Sequence, residues 1–464
     1  MMDLLFSLSS QLGDRNVVLC LFLGAWMVSW WIFEILPLGI TALIPLFYLP
    51  FFNISTIKEV TPAYSNPVIF LFLGGFVIAR ALEKTHLDER ISLNILKRTG
   101  RTDAGIILGF VIATAFLSMW ISNTAATVMM VPIAMSVTHF LKLNLNTEAQ
   151  ANLPTFNTAL FLSIAYSANI GGIMTPVGTP PNVIFIGYLN EMYGRNVDFY
   201  EWILATAPLA ITLLYIMTIT LKWIYPYKLS LPENLKEFIN DKLEGLGSIS
   251  TKQKVTIIVF LIAASLWVFK GVIHYMTGFS FLNDTSVAIM CGVLLFLIPT
   301  SNQGWQPVLD KKDISHLPWD IVLLFGGGMA LAGALNTVGL IEIVTQFFGG
   351  LDLTQPYFLI FTLAGLALFL TEIMSNVALC VVALPLIMKL GEAQGIDPLL
   401  IAMPVTLCTS FAFSMPVSTP PNAIVFGTNE VTVKQMLRVG VLLNLIALTL
   451  TMSLGFLLIK FIIL

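Results

Sequence analysis

The chain has 464 residues, of which 57% are hydrophobic and only 11% are charged, and its formal net charge is −3. A soluble protein carries roughly a quarter charged residues, so this composition excludes one and predicts a multi-pass protein of the cytoplasmic (inner) membrane, surrounded by membrane lipid. The net charge gives no basic field for nucleic acid. The apolar segments hold no His-Glu or paired-Asp spacing typical of a catalytic centre, so we expect neither a nucleic-acid partner nor an enzyme.

Apolar segments suited to cross a bilayer as helices recur along the chain. The uninterrupted ones are Val17–Phe33, Leu36–Phe52, Val68–Ala81, Trp202–Tyr225, Val255–Tyr275, Val287–Pro299, Ile321–Val338 and Leu437–Ile463. Four others carry Asn, Ser, Thr and Pro at membrane depth: Ala104–Leu141, Phe156–Tyr188, Tyr357–Leu390 and Leu400–Phe426. Irregular backbone at that depth is tolerated only where it lines a cavity or is buried in protein. These four segments therefore predict hairpins and broken helices around a site.

The interrupted segments match in pairs. SNTAATVMMVP from Ser122 matches SNVALCVVALP from Ser375, and TPVGTPPNVIFIG from Thr175 matches MPVSTPPNAIVFG from Met415. Upstream of both, LFLGGFVIARALEKTHL matches LLFGGGMALAGALNTVGL. Three matches in the same order predict a two-fold internal repeat, and the glycine runs of the third match predict close helix packing.

Basic residues indicate the orientation. They are concentrated in Arg80–Arg101 and in Lys222–Lys254, so both segments are expected on the cytoplasmic side. Within the first segment, the run HLDERISLNILKRTG predicts an amphipathic helix on that surface. Ala104–Leu141 must then enter and leave on one side, as a re-entrant hairpin with Ser122-Asn123-Thr124 at its tip. Each repeat has five crossings, an odd number, and the second is inverted. We therefore predict an all-α polytopic membrane protein of two inverted five-span repeats, each with a re-entrant hairpin and a broken helix, as in secondary transporters.

The broken helices also indicate the chemistry of the site. A helix that starts at membrane depth offers unpaired N–H groups to an anion, and one that ends there offers carbonyl oxygens to a hard cation such as sodium. No Lys or Arg lies near the tips, so bound sodium would have to neutralise a multivalent anion. This favours sodium as coupling ion in a symporter over an arginine-based exchanger. A channel is disfavoured by two occluding hairpins of opposite orientation.

At these motifs the chain resembles the divalent anion/sodium symporter family over nearly its whole length. The resemblance implies an elevator mechanism, in which a transport domain slides against a dimeric scaffold, and hence a homodimer. The implied scaffold comprises residues 1–103 and 255–353, and the implied transport domain comprises 104–225 (hairpin 104–141, broken helix 156–189) and 354–464 (hairpin 355–390, broken helix 400–428), with a cytoplasmic linker at 226–254.

The resemblance also implies site residues. The first sodium site would consist of Ser118, Ser122, Asn123 and Gly178, and the second of Thr371, Met374, Asn376 and Ser418. Substrate carboxylates would meet Ser122, Asn123, Thr124, Thr179, Pro180, Ser375, Asn376, Val377, Thr419 and Pro420. Many family members have threonine at the position of Val377. The valine here resembles that of bacterial C4-dicarboxylate carriers. The expected function is therefore sodium-coupled import of succinate, malate or fumarate, with a dicarboxylate exchanger or a sulfate or tricarboxylate carrier as alternatives.

Overall fold

In the computed structural model the described residues are 15–33, 35–277, 283–301, 304–339 and 355–464, and all regular structure in them is helical. The α-helices are α1 Arg15–Ile32, α2 Leu38–Thr41, α3 Ile44–Phe51, α4 Ile57–Val60, α5 Pro67–Lys84, α6 Leu87–Thr99, α7 Asp103–Ser118, α8 Asn123–Asn144, α9 Thr147–Gln150, α10 Leu153–Gly172, α11 Pro180–Tyr193, α12 Phe199–Ile224, α13 Leu235–Gly245, α14 Thr251–Thr277, α15 Asp284–Leu297, α16 Trp319–Thr337, α17 Pro356–Leu370, α18 Asn376–Ala393, α19 Pro398–Thr409, α20 Pro420–Phe426, α21 Val433–Leu450 and α22 Phe456–Ile462. Short 3₁₀ helices lie at Thr61–Ser65 and Asp313–His316, and a π-helical turn, Thr451–Gly455, joins α21 to α22.

Eight of the described helical segments are long and apolar enough to cross a membrane, and five shorter apolar segments accompany them. Among the shorter ones are α7, α17 and α19, each of which ends at one of the predicted interruptions. This set of spans agrees with the multi-pass membrane protein that the composition predicts.

The helices break where polar residues interrupt the apolar segments. The chain leaves helical structure after Ser118, Gly172, Leu370 and Thr409, and it resumes at Asn123, Pro180, Asn376 and Pro420. One predicted span was wrong in detail: Leu36–Phe52 is not a single helix but the two short helices α2 and α3. Tyr64 donates a hydrogen bond to the Ala42 carbonyl in this interruption, with 2.5 Å between the oxygens, and the carbonyl therefore has a partner outside the helix.

Contacts between Cα atoms divide the described chain into two compact units. The first draws on Met1–Leu73, Pro180–Val197 and Pro318–Thr409, and the second on Gly74–Thr179, Asp198–Leu317 and Ser410–Leu464. Each unit contains one of the two Ser-Asn tips, the first unit that at Ser375 and the second that at Ser122. The scaffold and transport halves implied by the resemblance stay a prediction.

Glycines give close helix packing in both units, as predicted. In the first unit, a Cβ on Gly327 would lie 2.3 Å from the Ala42 carbonyl oxygen. In the second unit, a Cβ on Gly74 would lie 2.5 Å from the Ala288 carbonyl carbon. These distances exclude any side chain, so the glycines of the repeated motif let the backbones of two segments touch.

In the second unit, α6 is the amphipathic helix predicted at the end of the basic segment Arg80–Arg101. Its apolar residues Leu87, Leu93 and Leu96 are buried, and Arg90 donates hydrogen bonds to the Leu246 and Gly247 carbonyls just beyond α13, at N–O distances of 3.0 and 2.8 Å. A charged side chain near the last carbonyls of a helix stabilises that helix end. The end of α13, in the segment predicted as a cytoplasmic linker, is therefore tied to α6.

A buried carboxylate pairs with two other basic residues of the same segment. Lys84 and Arg80 contact Asp313, with N–O distances of 2.6 and 3.2 Å. Burial alone would raise the pKa of Asp313, but hydrogen bonds from the Asp310 backbone N–H and from Lys84 outweigh it and hold that pKa below its usual range. Arg80 and Lys84 are thus internally paired.

Candidate substrate and ion site

The Ser-Asn pair has the same local role at both tips. Ser122 is the N-cap of α8, and its hydroxyl oxygen accepts a hydrogen bond from the Ala125 N–H at 3.2 Å. Ser375 is the N-cap of α18 and accepts from Ala378 N–H at 3.5 Å. Serine is a favoured cap because its oxygen satisfies one of the first N–H groups, which have no partner within the helix.

Capping leaves the first two backbone N–H groups of each helix for other partners. At the first tip these belong to Asn123 and Thr124, and at the second to Asn376 and Val377. The positive end of the helix dipole adds to their attraction for an anion. Thr124 is exposed and Val377 is half-buried. The two tips therefore offer the same backbone donors but differ by one hydroxyl group.

The Thr-Pro-Pro-Asn breaks have a different role from the one expected of a helix start. Thr419 is the N-cap of α20, and Pro420 and Pro421 occupy the first two helical positions. Proline has no N–H, and the third position, Asn422, donates its N–H to the Thr419 hydroxyl at 3.4 Å. Pro180 and Pro181 open α11 in the same way. The expectation that all four breaks offer N–H groups to an anion is therefore wrong for the two proline starts.

Around the first tip, a chain of hydrogen bonds within the second unit joins α7, α8 and α10 to the Thr-Pro-Pro-Asn motif at Thr419. The Ser118 hydroxyl lies 2.6 Å from the Asn123 amide oxygen and 2.7 Å from the Ala168 carbonyl oxygen. The Asn123 amide nitrogen lies 3.5 Å from the Asn169 amide oxygen. Asn169 in turn donates to the Thr419 hydroxyl at 3.2 Å. We call Ser118, Asn123, Asn169 and Thr419, with Gly178, the first tip cluster.

Carbonyl oxygens complete the first tip cluster. A Cβ on Gly178 would lie 2.5 Å from the Gly172 carbonyl oxygen and 2.9 Å from that of Ser118, so both oxygens converge on this glycine. A Cβ on Gly172 would lie 2.4 Å from the Asn123 amide oxygen. Neutral oxygens from a hydroxyl, an amide and carbonyls at helix ends are the ligands that a hard cation prefers. The described residues hold no group of three or more His, Cys, Asp or Glu side chains that could bind a metal ion.

Nearby carbonyls of the first break have other partners. Trp202 donates its indole N–H to the Ile173 carbonyl at 2.9 Å, and Thr206 donates its hydroxyl to that of Met174 at 3.3 Å. Thr175 donates its hydroxyl to the Met119 carbonyl, which links the break to the tip. These bonds fix the loop between α10 and α11, so the first tip cluster is supported by a second layer of buried hydrogen bonds. Thr179, at the end of this loop, is buried.

The second break is fixed by amides that the sequence motifs only partly indicate. Asn422 donates to the Ala412 and Met415 carbonyls at 2.9 and 3.0 Å, and Asn444 donates to the Ser414 hydroxyl at 2.9 Å. A Cβ on Gly440 would lie 2.3 Å from the Phe413 carbonyl oxygen, so α21 touches the backbone of the break. Ser418 and Thr419 are buried at its end.

The second tip, in the first unit, repeats part of this pattern. Thr371, four residues before Ser375, donates its hydroxyl to the Thr409 carbonyl at 2.7 Å, just as Ser118 reaches Ala168. The Thr409 hydroxyl lies 3.1 Å from the Cys380 sulfur. Met374 and Asn376 are half-buried beside them. Of the residues implied for the second sodium site, Thr371, Met374 and Asn376 belong to this unit, whereas Ser418 belongs to the second unit.

Asn169 was missed at the sequence level. It is 1% exposed and lies in α10, where nearly every residue is buried. An isolated Asn in an apolar helix is normally read as polar glue between helices, and only its contacts with Asn123 and Thr419 distinguish it. The sequence offered one signal for placing Asn169 at the site, namely its position about one turn before the Gly171-Gly172 end of α10.

The spans, broken helices and oxygen-lined tips define an integral membrane transporter. The fold is similar to that of two solved bacterial transporters. YdaH of Alcanivorax borkumensis gives a TM-score of 0.55 at 15% identity and covers 87% of each chain. MtrF of Neisseria gonorrhoeae, described as illuminating a class of antimetabolite efflux pumps, gives a TM-score of 0.58 at 14% identity and covers 86% of this chain and 83% of its own.

Residues 8–464 match the family model described as the sodium:sulfate symporter transmembrane region, and the chain belongs to this family of transporters. Two relatives are named sodium-dependent dicarboxylate transporter SdcS. The one from Staphylococcus saprophyticus is 36% identical over 96% of this chain and 86% of its own length. The relative from Staphylococcus aureus (strain NCTC 8325) is 34% identical, and the match again covers 96% of this chain and 86% of the relative. The resemblance read from the Ser-Asn and Thr-Pro-Pro-Asn motifs is thereby confirmed.

Proposed function

We propose that this protein imports C4-dicarboxylates, such as succinate, malate or fumarate, together with sodium ions. The observation that carries the proposal is the first tip cluster. In this cluster, a helix start with two backbone N–H groups lies beside a group of neutral oxygens. Asn123 belongs to both, because it is the first residue of the helix and its amide oxygen is one of the group. An anion held by N–H groups and hydroxyls is poorly neutralised without a cation, and a cation held by neutral oxygens is poorly neutralised without an anion. Each ligand therefore favours binding of the other.

In this proposal the oxygens of Ser118, Ser122, Asn123 and the Gly178 region bind one sodium ion. Those of Thr371, Met374, Asn376 and Ser418 bind a second. The Ser118 hydroxyl and the Asn123 amide oxygen are only 2.6 Å apart because a hydrogen bond joins them. Sodium would replace that hydrogen bond and draw both oxygens to itself. Removing the bond would also turn the Asn123 amide and so affect its contact with Asn169.

The substrate carboxylates are assigned to the tips, with Ser122, Asn123 and Thr124 at one end and Ser375, Asn376 and Val377 at the other. Thr179 and Thr419 would add hydroxyl contacts, and Pro180 and Pro420 would shape the walls. The names of the relatives support a dicarboxylate, and the missing hydroxyl at Val377 supports a four-carbon substrate over sulfate or a tricarboxylate. A homodimer and an elevator movement, both implied by the family resemblance, belong to the same proposal.

The direct test is uptake of labelled succinate into proteoliposomes that contain only this protein. Uptake should require an inward sodium gradient and should fall to background when choline replaces sodium. Liposomes without internal dicarboxylate distinguish import from exchange, because an exchanger accumulates nothing in them. Unlabelled malate, fumarate, citrate and sulfate, added in turn, rank the substrates by competition. Sodium-independent uptake would reject the symporter, and competition by sulfate alone would reject the dicarboxylate.

Variants test the assignment of the tips. Asn123→Ala and Asn376→Ala should each abolish uptake without loss of the folded protein. Asn144→Ala is the matched control, because Asn144 lies exposed at the opposite end of α8, where its amide donates to the Phe140 carbonyl and accepts from Asn234. Normal transport by both tip variants would show that the amides are not ligands.

A further inference from the structure

Two adjoining cavities lie in the second unit where α6, α8 and α13 meet. The first is an open cleft of about 260 Å³ with mostly apolar walls, formed by Leu93, Pro132, Ile133, Val137 and Phe238, and with Glu89, Ser136 and Lys242 also in its lining. The second encloses about 210 Å³, and its lining includes Lys97, Arg101 and Lys236. Ile239 lines both cavities, so they adjoin. The surface thus combines an apolar cleft with a basic mouth.

The proline nine residues after Asn123 lines the apolar cleft. Pro132 lies inside α8 and is exposed. A proline in a helix has no N–H and kinks or loosens the preceding turn. On the same helix Val128, Met135 and Leu143 expose 53%, 39% and 70% of their surface. The cleft is therefore continuous with an apolar helix surface suited to acyl chains.

The basic mouth carries unneutralised charge. Arg80 and Lys84 on the preceding helix are paired with Asp313, but no described carboxylate forms an ion pair with Lys97, Arg101 or Lys236. The three side chains are exposed, and Glu233 is the single acidic residue that lines the same cavity. Stacking of Phe140 on Phe238, with ring centres 4.4 Å apart, fixes α13 against the end of α8. The mouth is therefore positioned at the α8 end that the charge pattern predicts at the cytoplasmic surface.

We propose that these two cavities form a binding site for an anionic phospholipid of the cytoplasmic leaflet. Lys97, Arg101 and Lys236 hold the phosphate of the headgroup, and an acyl chain fills the cleft beside Pro132 and Ile133. Anionic lipid is favoured over a soluble anion because the charges adjoin an apolar cleft. A soluble phosphate would leave that cleft unused. Basic pockets at the cytoplasmic ends of membrane helices are a recurrent form of lipid recognition.

Native mass spectrometry of the full chain, titrated with phosphatidylglycerol and with phosphatidylcholine of the same acyl chains, tests the proposal. Wild type should retain phosphatidylglycerol in preference. Each basic residue near a membrane surface contributes about a fivefold change in affinity for anionic lipid, so Lys97→Gln/Arg101→Gln/Lys236→Gln should weaken it on the order of 100-fold. The control Lys228→Gln/Lys254→Gln/Lys434→Gln removes equal charge from other exposed positions and should retain wild-type binding.

A second variant tests the cleft. Ile133→Gln puts an amide into the apolar cavity and should weaken long-chain phosphatidylglycerol while leaving unchanged any competition by glycerol phosphate. Equal retention of the two lipids by wild type, or wild-type retention by the triple variant, would overturn the proposal. Displacement of the lipid by glycerol phosphate at matched concentration would show a soluble-anion site instead. Thermal unfolding of each variant without added lipid should match wild type, which excludes misfolding as the cause.

Discussion

Gly178→Ala should weaken sodium binding. The added Cβ would lie 2.5 Å from the Gly172 carbonyl oxygen and 2.9 Å from that of Ser118. Both contacts are with backbone, so no flexible side chain can move away. Inserting a methyl group into such a packed region typically costs about 1–3 kcal/mol. If this cost falls on the sodium-bound form, sodium affinity drops by a factor of about 5 to 150.

The assay is thermal unfolding of purified protein in increasing sodium chloride, with choline chloride added to hold ionic strength constant. A ligand that binds only the folded state raises its stability by RT ln(1 + [L]/Kd). Wild type should therefore show a saturating rise in Tm, and Gly178→Ala should need a much higher sodium concentration for the same rise. Gly271→Ala is the matched control, because a Cβ there meets nothing within 4 Å. A Gly178→Ala curve that overlays wild type would refute the assignment of this glycine to a sodium site.

Three further predictions concern Asn169, the tip residues Thr124 and Val377, and the buried Asp88. Asn169→Ala removes the hydrogen bond to Thr419 and should abolish the increase in sodium affinity that succinate causes. The assay is the same sodium-dependent melting curve, recorded with and without succinate. An undiminished increase in sodium affinity would contradict this prediction. Thr124→Val should raise the KM for succinate about tenfold through one lost hydrogen bond. Val377→Thr should let citrate or sulfate compete for succinate uptake. Unchanged competition in Val377→Thr would refute a role for a hydroxyl group at this position. Burial raises the pKa of Asp88 in α6 to about 7 from 3.8, so wild type should lose up to about 4 kcal/mol of stability as pH rises from about 4 to 7. Asp88→Asn should lack this loss, so its stability relative to wild type should rise by that amount between pH 4 and 7, and parallel melting profiles of the two proteins would contradict this.

The positions of the broken helices could be predicted because the signals are local. Polar residues in an apolar segment, a Ser before a helix start and Pro at its first positions each limit the backbone on their own. The division of the Leu36–Phe52 segment into α2 and α3 could not be predicted in this way. That segment is apolar throughout, and its interruption is accompanied by a hydrogen bond from Tyr64 and the close approach of Gly327, which lies almost 300 residues later in the chain.

The site shows the same difference between local and distant signals. Ser118, Ser122 and Asn123 lie within six residues of one another. Their short separation at a helix break therefore predicts that their side chains lie close together. Asn169 reaches Thr419 across 250 residues, and nothing in the sequence around either residue indicates the partner. Gly172 and Gly178 likewise look like ordinary loop or helix-end glycines until the carbonyl and amide oxygens next to them are located.

The paired prolines at the starts of α11 and α20 have a consequence for ion selectivity. Two alanines in their place would form the same helix turn but would add two N–H groups, each with partial positive charge, to each break. Such groups repel a cation and attract a competing anion. The prolines thus keep positive partial charge away from the neutral oxygens, and the N–H groups proposed to bind the anion remain concentrated at the Ser-Asn tips. In the proposed site, substrate preference could therefore change through the tips during evolution while the residues assigned to the driving ion stay the same.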